Sequence, residues 1–451
     1  MSGLYEPLFR HVLYPAYETV LRRRGTLRHL RDYEQSQWLS VEQIEALQWQ
    51  KLQRLLQHCW SEVPYYREQW QGLGITPQDI RTPADYARLP VLTKPQIRAN
   101  FDRLIAPAQR AGLMFKTTGG STGEPLRFGY TRESYERRVA VMFRGYGWAG
   151  ARLGQRTLYL WGAALADPSR VHRIKERVYA AAFNRRVLNA FLMSDARMAQ
   201  YADSFNAYRP EVVVAYVAPI VLLAQWALAN GRRMHRPKLV LCAAEALHEP
   251  QRRIIEDAFG APAYNTYGCR EFMLVAAECT HRDGLHLTAD HLKTELGPAM
   301  TPDGSGPREL MVTDLHNTGM PLLRYVNGDL ATPASGATCA CGRGLPTIAR
   351  VDGRKLDALR TADGHIIPGE LIVYVFLKAT GIRRYQVVQR RLDALDVTLV
   401  RDADYDPSVL DLLRRELANA VGTSIALDFH FTDDIPLTAT GKHRVTISEL
   451  G

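Results

Sequence analysis

Residues Lys116 to Pro125 read Lys-Thr-Thr-Gly-Gly-Ser-Thr-Gly-Glu-Pro. The three glycines free this backbone, so its N–H groups can approach an anion closely, and four hydroxyl side chains add further donors. Such a loop can wrap a polyphosphate. It differs from a Walker A motif, because Glu124 and Pro125 stand where that motif continues with Lys and Ser or Thr. Taken alone, the stretch is equally compatible with an ordinary solvated turn.

Composition places the chain among globular proteins. It has 451 residues, of which 46% are hydrophobic and 23% are charged, and this length suggests two or three domains. The formal net charge of +10 suits anionic small molecules such as nucleotides. The arginines are scattered rather than gathered in a dense run, which argues against a nucleic-acid partner.

The chain shows none of the usual signals for export or membrane insertion. Its beginning carries Tyr5, Glu6 and Arg10 instead of an uninterrupted apolar run, so no secretory signal is expected. We also find no stretch of about 18 consecutive apolar residues, so no membrane span is expected. Six cysteines are too few for a disulfide scaffold of this length. These features together predict a cytoplasmic protein.

Hydrophobic periodicity predicts the order of the elements. Residues 1 to about 80 have helical spacing, and Ser40 followed by Gln43 is typical of a helix N-terminus. Further along, short apolar runs alternate with helical segments, a pattern that indicates parallel strands joined by crossover helices. These strands are expected at Arg156–Trp161, Val212–Tyr216 and Lys238–Cys242, and the helices between and after them at Asp195–Tyr208, Ile220–Asn230 and Glu249–Phe259.

The pattern changes near Asp352, where a smaller unit with both helices and strands begins. The predicted fold is therefore α/β. Residues 1–352 form a large domain of mixed and parallel sheets with flanking helices, and its first 80 residues are a helical entry segment. Residues 353–451 form a smaller α+β domain.

Four more segments follow the Gly/Ser/Thr loop in a fixed order. They are Tyr264-Asn-Thr-Tyr-Gly-Cys-Arg-Glu271, Leu323-Arg-Tyr-Val-Asn-Gly-Asp329, Val351-Asp-Gly-Arg-Lys-Leu-Asp357 and Pro436-Leu-Thr-Ala-Thr-Gly-Lys442. Together the five segments resemble the adenylate-forming superfamily of acyl-CoA synthetases. Val63-Pro-Tyr-Tyr66 and Leu89-Pro-Val-Leu-Thr-Lys94 resemble its phenylacetate–CoA ligase branch, and in particular the CapK-like and coenzyme F390 synthetase-like groups.

The resemblance implies a role for each segment. A carboxylic acid attacks the α-phosphorus of ATP, so the site must position phosphates and neutralise developing charge. The implied catalytic residues are Lys442, which bridges the acid and the α-phosphate, and Glu271, which binds Mg²⁺. The implied nucleotide-binding residues are Thr117, Thr118, Gly119, Gly120, Ser121, Thr122, Gly123, Ala244, Glu245, Tyr267, Gly268, Arg270, Asp329 and Arg354. Among them, Tyr267 is expected to stack on adenine and Asp329 to accept the ribose hydroxyls.

Each assignment has a plainer alternative. Asp329 follows Asn327-Gly328 and could be a simple hairpin residue, and Lys442 alone would be a tail lysine. The chain also departs from the family pattern at three places. Arg270 stands where the family has Thr or Ser, Leu356 occupies the usual hinge position, and Ala243-Ala-Glu-Ala-Leu247 lacks a proline.

A second candidate site involves cysteine. Cys339 and Cys341 are two positions apart, and Cys279 and His286 can complete a tetrahedral Zn²⁺ site. His281 is an alternative fourth ligand, although it lies close to Cys279 in sequence. The alternative to a metal site is a set of reduced cysteines, some of them buried as small apolar residues.

The predicted function is ATP-dependent formation of an acyl-AMP, followed by transfer of the acyl group to a thiol, expected to be CoA. Trp161, Tyr216 and Pro219 are the expected acyl-pocket residues, and they suit an aromatic acid. Arg383-Arg384 and Arg390-Arg391 are candidates for the CoA phosphates or are solvated charges. One rival is a CapK-like ligase that transfers to an amine or sugar in surface-polysaccharide synthesis. The other is a degenerate, non-catalytic nucleotide-binding protein. The oligomeric state stays open.

Overall fold

The computed structural model describes residues 2–118, 126–162, 179–193, 197–300, 306–336, 338–354, 359–361, 366–367, 372, 375–376, 379–423, 425–436 and 444–450. In chain order the strands are β1 (Met114–Thr117), β2 (Arg127–Tyr130), β3 (Thr157–Trp161), β4 (Arg185–Asn189), β5 (Val212–Tyr216), β6 (Leu239–Ala243), β7 (Ala263–Tyr267), β8 (Ala276–Glu278), β9 (Leu285–Leu287), β10 (Leu292–Ala299), β11 (Arg308–Asp314), β12 (Tyr325–Pro333), β13 (Thr347–Arg354), β14 (Leu359–Arg360), β15 (Ile366–Ile367), β16 (Ile382–Arg391), β17 (Ala394–Arg401), β18 (Ala426–Phe431) and β19 (Thr446–Ser448).

Helices flank these strands. The α-helices are Ser2–Leu8, Thr26–Ser36, Val41–Glu62, Pro64–Gly72, Pro83–Ala87, Lys94–Ala99, Arg132–Trp148, Met198–Tyr208, Val217–Ala229, Glu249–Phe259 and Val409–Val421. Wider π-helical turns occupy Phe9–Leu13 and Ala16–Leu21, and short 3₁₀ turns lie at Pro77–Asp79, Pro107–Gly112 and Ala190–Leu192. No helix within the described ranges is long and apolar enough to cross a membrane.

Within the described part of the chain, eleven strands form one mixed sheet in the order β10-β11-β12-β13-β9-β8-β7-β6-β5-β3-β4. The strands from β4 to β7 are parallel neighbours, and the pairs from β7 to β10 are antiparallel. The parallel half arises from short buried runs such as Val212–Tyr216 that are joined by crossover helices. The predicted α/β class with a large mixed sheet is confirmed.

The N-terminal helices begin and end as their sequence indicates. Ser40 caps the Val41–Glu62 helix: its hydroxyl accepts from the Gln43 backbone while the Gln43 side chain accepts from the Ser40 N–H. Val63 then adopts an extended conformation, and Pro64 opens the next helix, where its missing N–H costs nothing. The aromatic face of these helices packs on the sheet through Tyr66 and Trp70.

The segment after these helices joins the sheet directly. Leu92, from the Leu89–Lys94 motif, pairs in parallel with Tyr325 at the start of β12. Its N–H donates to the Arg324 carbonyl at 3.1 Å, and its carbonyl accepts from the Val326 N–H at 2.9 Å. The Leu89–Lys94 motif therefore stabilises the beginning of β12, the strand that carries Asp329.

Buried charges connect the entry helices to the rest of the molecule. The Arg144 guanidinium donates to both Asp290 carboxylate oxygens, and both side chains are almost fully buried. Lys51 donates from its Nζ atom to the Asp290 carbonyl at 2.6 Å. Paired charges of this kind tolerate burial because each has a matched partner.

The C-terminal region has its own sheet, with strand order β18-β17-β16-β19. The Val409–Val421 helix packs on it through Val409, Leu413, Leu417 and Val421, at helical spacing. β13 of the large sheet runs to Arg354, two residues past the predicted boundary at 352. That boundary remains a prediction.

Candidate active site

The base of the Gly/Ser/Thr loop is held by a hairpin. β1 and β2 are antiparallel, with Thr117 opposite Arg127. Beyond them, the Thr118 N–H donates to the Leu126 carbonyl at 2.8 Å, and the Leu126 N–H donates to the Thr118 hydroxyl oxygen at 2.9 Å. Thr118 therefore closes the loop. The tip residues predicted to bind phosphate, Gly119, Gly120, Ser121, Thr122 and Gly123, lie outside the described residues.

A hydrogen bond joins this loop to the segment after β7. Arg270 donates from Nη1 to the Thr117 carbonyl at 2.7 Å. The unexpected arginine at this position therefore fastens the loop base. The segment itself turns tightly at Gly268, where an added Cβ would lie 1.8 Å from the Met273 carbonyl oxygen. Only glycine fits such a close backbone approach.

Tyr267 and Asp329 are direct partners. The Tyr267 hydroxyl donates to Asp329 Oδ2 at 2.7 Å, and the Asn327 amide donates to both of them. All three side chains are buried. Burial, then the negative charge of Asp329, raises the pKa of the Tyr267 hydroxyl far above its ordinary value. Tyr267 is therefore a permanent donor that orients the carboxylate.

Glu271 lies in the same neighbourhood. Its carboxylate accepts from the Tyr325 hydroxyl at 2.9 Å, and only 5% of the residue is exposed. Burial raises the pKa of the Tyr325 hydroxyl, with Glu271 and Asp329 adding to it. The same two carboxylates, after burial, raise the pKa of the Cys269 thiol. Both negative charges are thus close enough to act on shared neighbours.

Asp329 lies inside β12. It pairs in register with Arg354 of β13. The preceding Gly328 has φ of +87°, and the register with β11 shifts across this point. Asn327-Gly328 is therefore a bulge in a strand and not a hairpin turn. The bulge turns Asn327 and Asp329 toward Tyr267.

Asn327 and Tyr325 were not among the predicted site residues, although both bind a predicted carboxylate. Their signal was present in the sequence: an Asn-Gly pair without a second strand following directly indicates a bulge, and bulges often re-aim functional side chains. Tyr325 lies two residues before Asn327, and alternate residues of a regular strand share a face.

The predicted acyl-pocket residues lie together at the ends of parallel strands. Trp161 ends β3 and Tyr216 ends β5, and their ring centroids are 4.2 Å apart. Pro219 lies in the first turn of the Val217–Ala229 helix that follows. Carboxyl ends of parallel strands are the usual place for a ligand in such sheets.

The segment Ala243–Leu247 touches this pocket. Glu245 accepts from the Ala218 N–H at 2.6 Å, a favourable place for a carboxylate because the helix N-terminus is positive. Burial and the Glu245 charge raise the pKa of the Tyr216 hydroxyl, while Arg270 opposes them. Glu245 and Arg270 therefore both lie near Tyr216. Ala244, which lies between the end of β6 and Glu245, has φ of +68°.

Lys442 lies outside the described residues. Arg354 is described through its strand pairing with Asp329. Their predicted roles stay predictions.

The four predicted zinc ligands form one cluster. The ligand atoms of Cys279, His286, Cys339 and Cys341 all lie within 4.8 Å of one another. The Sγ atoms of Cys279 and Cys339 are 3.6 Å apart, much longer than a disulfide at about 2.05 Å. Two thiolates on one tetrahedral Zn²⁺ at about 2.3 Å would be separated by about 3.8 Å. His281 is exposed and does not belong to the four.

The imidazole is oriented for a metal. His286 Nδ1 lies 3.3 Å from the Leu345 carbonyl, and Nε2 lies 3.3 Å from Cys341 Sγ. A proton on Nδ1 would leave Nε2 free to coordinate, which is the usual arrangement of metal-bound histidines. Burial lowers the pKa of His286 and favours the neutral ring that metals require.

Comparison with known proteins gives relatives of two kinds. Residues 359–449 match the CapK C-terminal domain family. The chain is 27% identical over 395 residues to a phenylacetate–coenzyme A ligase of Thermus thermophilus, and the match covers 85% of each chain. It is 26% identical over 408 residues to protein CapK of Staphylococcus aureus, covering 90% of this chain and 89% of that protein.

A solved structure shares the architecture. Crystalline 2-hydroxyisobutyryl-CoA ligase in the postadenylation state aligns with a TM-score of 0.72, at 18% identity, over 92% of this chain and 91% of that chain. The chain thus has the fold of an adenylate-forming ligase. The resemblance to the phenylacetate–CoA ligase and CapK-like branch is confirmed by these relatives.

Proposed function

We propose that this chain activates a carboxylic acid with ATP, forming an acyl-AMP and pyrophosphate, and then transfers the acyl group to CoA. The relatives named phenylacetate–coenzyme A ligase, similar over most of their length, support this reaction. AMP is a good leaving group, so the second step is easier than direct acyl transfer.

One observation carries the proposal. Motifs that are far apart in sequence meet in a single hydrogen-bonded neighbourhood: Arg270 contacts the loop base at Thr117, and Tyr267 contacts Asp329. Glu271 lies beside them, bound to Tyr325. A nucleotide that touches the loop would therefore be within reach of both carboxylates.

Glu271 and Asp329 suit two different parts of ATP, the phosphates with their Mg²⁺ and the ribose. Within the described residues, Glu271 has no Lys or Arg partner, and its buried charge would be neutralised by Mg²⁺, a hard ion that prefers oxygen ligands. Asp329 can accept hydrogen bonds from the ribose hydroxyls. The loop hydroxyls and Lys442 would hold the phosphates, and Arg354 would contact the ribose or phosphate edge.

The acid is proposed to be aromatic. The close rings of Trp161 and Tyr216 form an apolar wall at the strand ends, near Glu245. Aromatic walls suit a ring because they offer large flat contact area.

A second candidate keeps the first step but changes the acceptor. The match of residues 359–449 to the CapK C-terminal domain and the similarity to protein CapK favour it. In that case an amine or a sugar, rather than CoA, would take the acyl group.

The test is an acid-dependent ATP–pyrophosphate exchange assay over a panel of aryl and alkyl acids, followed by product analysis with CoA, amines and sugars. We expect exchange with an arylacetic or benzoic acid and a CoA thioester. Amide or ester product without thioester would favour the CapK-like reaction. No exchange with any acid would leave only the non-catalytic alternative.

We also propose that the Cys279, His286, Cys339 and Cys341 cluster holds a structural Zn²⁺. Four protein ligands would close the coordination sphere, as in structural sites, leaving no position for a substrate. The loop carrying Cys339 and Cys341 packs on the entry helices, where the Gly344 N–H donates to the Gln37 carbonyl at 3.2 Å. The ion would therefore fasten the entry segment to the sheet.

A further inference from the structure

A basic cavity lies between two helix N-termini, outside the predicted adenylation site. Its volume is about 590 Å³, which is enough for a nucleotide-sized ligand. The Thr26–Ser36 and Arg132–Trp148 helices each bring their first turn to it. Five arginines line it: Arg23, Arg24, Arg28, Arg31 and Arg132.

The acidic residues of the lining already have partners. Glu136 accepts from the Gly25 N–H at 2.8 Å and from Arg132 Nε at 2.8 Å. Glu133 accepts from Arg137 Nη2 at 2.8 Å. Glu136 thus neutralises Arg132 and Glu133 neutralises Arg137, so the remaining arginines leave the cavity positively charged.

Among the residues that the structure describes, three of the five guanidinium groups have no carboxylate partner. Arg24 has Glu18 at 3.7 Å, but within the part of the chain that the structure describes, no ion pair involves Arg23, Arg28 or Arg31. All three are exposed at the cavity. Their charges add to the positive ends of the two helix dipoles, so an anion in the cavity would meet a strongly favourable field.

A buried histidine points to a missing partner. His29 lines the cavity with only 1% of its surface exposed, and neither ring nitrogen has a hydrogen-bond partner among the described residues. Its Nε2, Arg28 Nη2 and Glu136 Oε2 each lie 3.4 Å from the position that a Cβ on Gly25 would occupy, and Glu136 is already bound to the Gly25 N–H and Arg132. Buried polar atoms are normally satisfied, so a ligand atom at this point would complete the ring's hydrogen bonding.

We propose that this cavity is a phosphate-binding site for a phosphorylated ligand of about nucleotide size. Planar guanidinium groups match phosphate oxygens with paired hydrogen bonds, and the first turn of the Thr26–Ser36 helix adds the positive end of its dipole beside them. The site does not depend on the proposed reaction.

The position of the cavity allows two sources of phosphate. Arg24 and Lys116 lie over the same Tyr135 ring, at 5.4 and 5.5 Å from its centroid, and Lys116 belongs to the strand that leads into the Gly/Ser/Thr loop. A soluble nucleotide such as the 3′-phospho-ADP part of CoA could therefore lie here. The other source is an anionic lipid headgroup, because Leu4, Val20 and Leu21 are exposed on the adjoining N-terminal segment.

The test compares the full-length protein with Arg28→Gln/Arg31→Gln. The matched control is Arg253→Gln/Arg415→Gln, which removes two charges from exposed helix arginines elsewhere. Binding of 3′,5′-ADP and of pyrophosphate is measured by calorimetry. Flotation is measured with phosphatidylcholine vesicles with and without 30% phosphatidylglycerol. Circular dichroism checks that every variant is folded.

A soluble ligand predicts saturable binding of 3′,5′-ADP or pyrophosphate that weakens at least tenfold in the cavity variant and less than twofold in the control. A lipid source predicts flotation only with phosphatidylglycerol, lost in the cavity variant and kept in the control. The proposal would be overturned if the native protein bound neither 3′,5′-ADP nor pyrophosphate and did not float with vesicles. It would also be overturned if both double variants reduced binding equally. Arg23→Gln alone should weaken binding by a smaller factor, since it removes one charge.

Discussion

The Tyr267 hydroxyl donates its hydrogen bond to Asp329, so the hydroxyl and the ring of this side chain have different roles. Its hydroxyl orients the carboxylate expected to bind ribose, while contact of its ring with adenine stays a prediction. Asn327 supports both partners from inside the bulge. The Tyr267 hydroxyl is therefore a positioning group, and Asp329 is the group proposed to contact the nucleotide.

Tyr267→Phe tests this division. The ring stays, but buried Asp329 loses a donor, so the free energy of unfolding should fall by about 1–3 kcal/mol. The KM for ATP should rise about five- to tenfold, with a smaller change in kcat. Urea unfolding and ATP–pyrophosphate exchange measure the two effects. Tyr201→Phe loses a remote hydrogen bond to the Asn189 carbonyl and should leave KM unchanged; an equal change in both variants would contradict the prediction.

Lys51 gives a prediction for pH. Burial, opposed by the Asp290 charge, lowers the pKa of Lys51 from 10.5 to about 8. Between those values the folded protein has released a proton that the unfolded chain still holds, so stability contributed by this residue rises with pH across about 8 to 10.5. Below pH 8 the charge is present in both states and the contribution is constant.

The measurement is the difference in unfolding free energy between the native chain and Lys51→Met at several pH values. That difference should increase in favour of the native chain by the order of 2–3 kcal/mol from pH 8 to 10.5. Parallel pH curves for the two proteins would show that the charge is not held in this way.

At the scale of elements, local signals predicted the regular helices and strands well. The Glu249–Phe259 helix is observed as predicted, because Pro250 can open a helix and Gly260 at φ +62° can end one. The Val212–Tyr216 strand is also observed as predicted. The π-helical turns at Phe9–Leu13 and Ala16–Leu21 were not predicted, because helical spacing alone does not distinguish them from an α-helix.

The candidate site was predicted less completely. The sequence identified the carboxylates because the family motifs carry them. The donors that orient these carboxylates, Asn327 and Tyr325, were missed because the Asn-Gly pair was interpreted as a possible hairpin turn, whereas it forms a bulge inside β12. Likewise, the Arg270 contact with Thr117 joins residues that are 153 positions apart, and no local pattern encodes such a contact.

Gly268→Ala tests the turn after β7. A Cβ there would lie 1.8 Å from the Met273 carbonyl oxygen, so the backbone must shift and carry Arg270 and Glu271 with it. We expect destabilisation by about 2 kcal/mol or more and loss of ATP–pyrophosphate exchange. Gly147→Ala is the matched control: its Cβ meets nothing within 4 Å at an exposed position in the last turn of the Arg132–Trp148 helix, and it should be neutral or slightly stabilising. Full activity of Gly268→Ala would refute the tight turn.

The Cys/His cluster gives a prediction about metal content. Protein purified without chelator should hold about one zinc per chain by plasma mass spectrometry, since four suitable ligands converge. Cys341→Ser should lose the metal and unfold at a lower temperature by several degrees. Cys242→Ala, in the core of β6, should keep the metal although it also loses stability. Metal-free native protein with an unchanged melting temperature would argue for simple reduced cysteines.

At the scale of the whole molecule, the large sheet and the C-terminal sheet are separate structures joined near Arg354. The proposed reaction uses the smaller region twice. In that proposal, Lys442 would first reach the acid and the α-phosphate, and the surface near Gly353 and Arg354 would replace it in the second step. Such alternation would explain how one cleft performs two different steps.

Lys442→Ala should therefore damage only the first step. Acid-dependent ATP–pyrophosphate exchange is expected to fall about a thousandfold, which corresponds to about 4 kcal/mol of transition-state stabilisation. Thioester formation from chemically prepared acyl-AMP should change little. Lys238→Ala, an exposed lysine paired with Glu211, should affect neither step. Unchanged exchange in Lys442→Ala would remove its catalytic assignment.

β13 links the two candidate sites through one continuous strand. Thr347 at its beginning pairs with His286 of the cysteine cluster, and Arg354 at its end pairs with Asp329. Eight extended residues span about 25 Å. If the cluster holds the proposed zinc, loss of that ion would free the beginning of β13 and weaken the positioning of Asp329 at its other end. A shortage of zinc in the cell would then lower the affinity of this protein for ATP and slow its use of ATP.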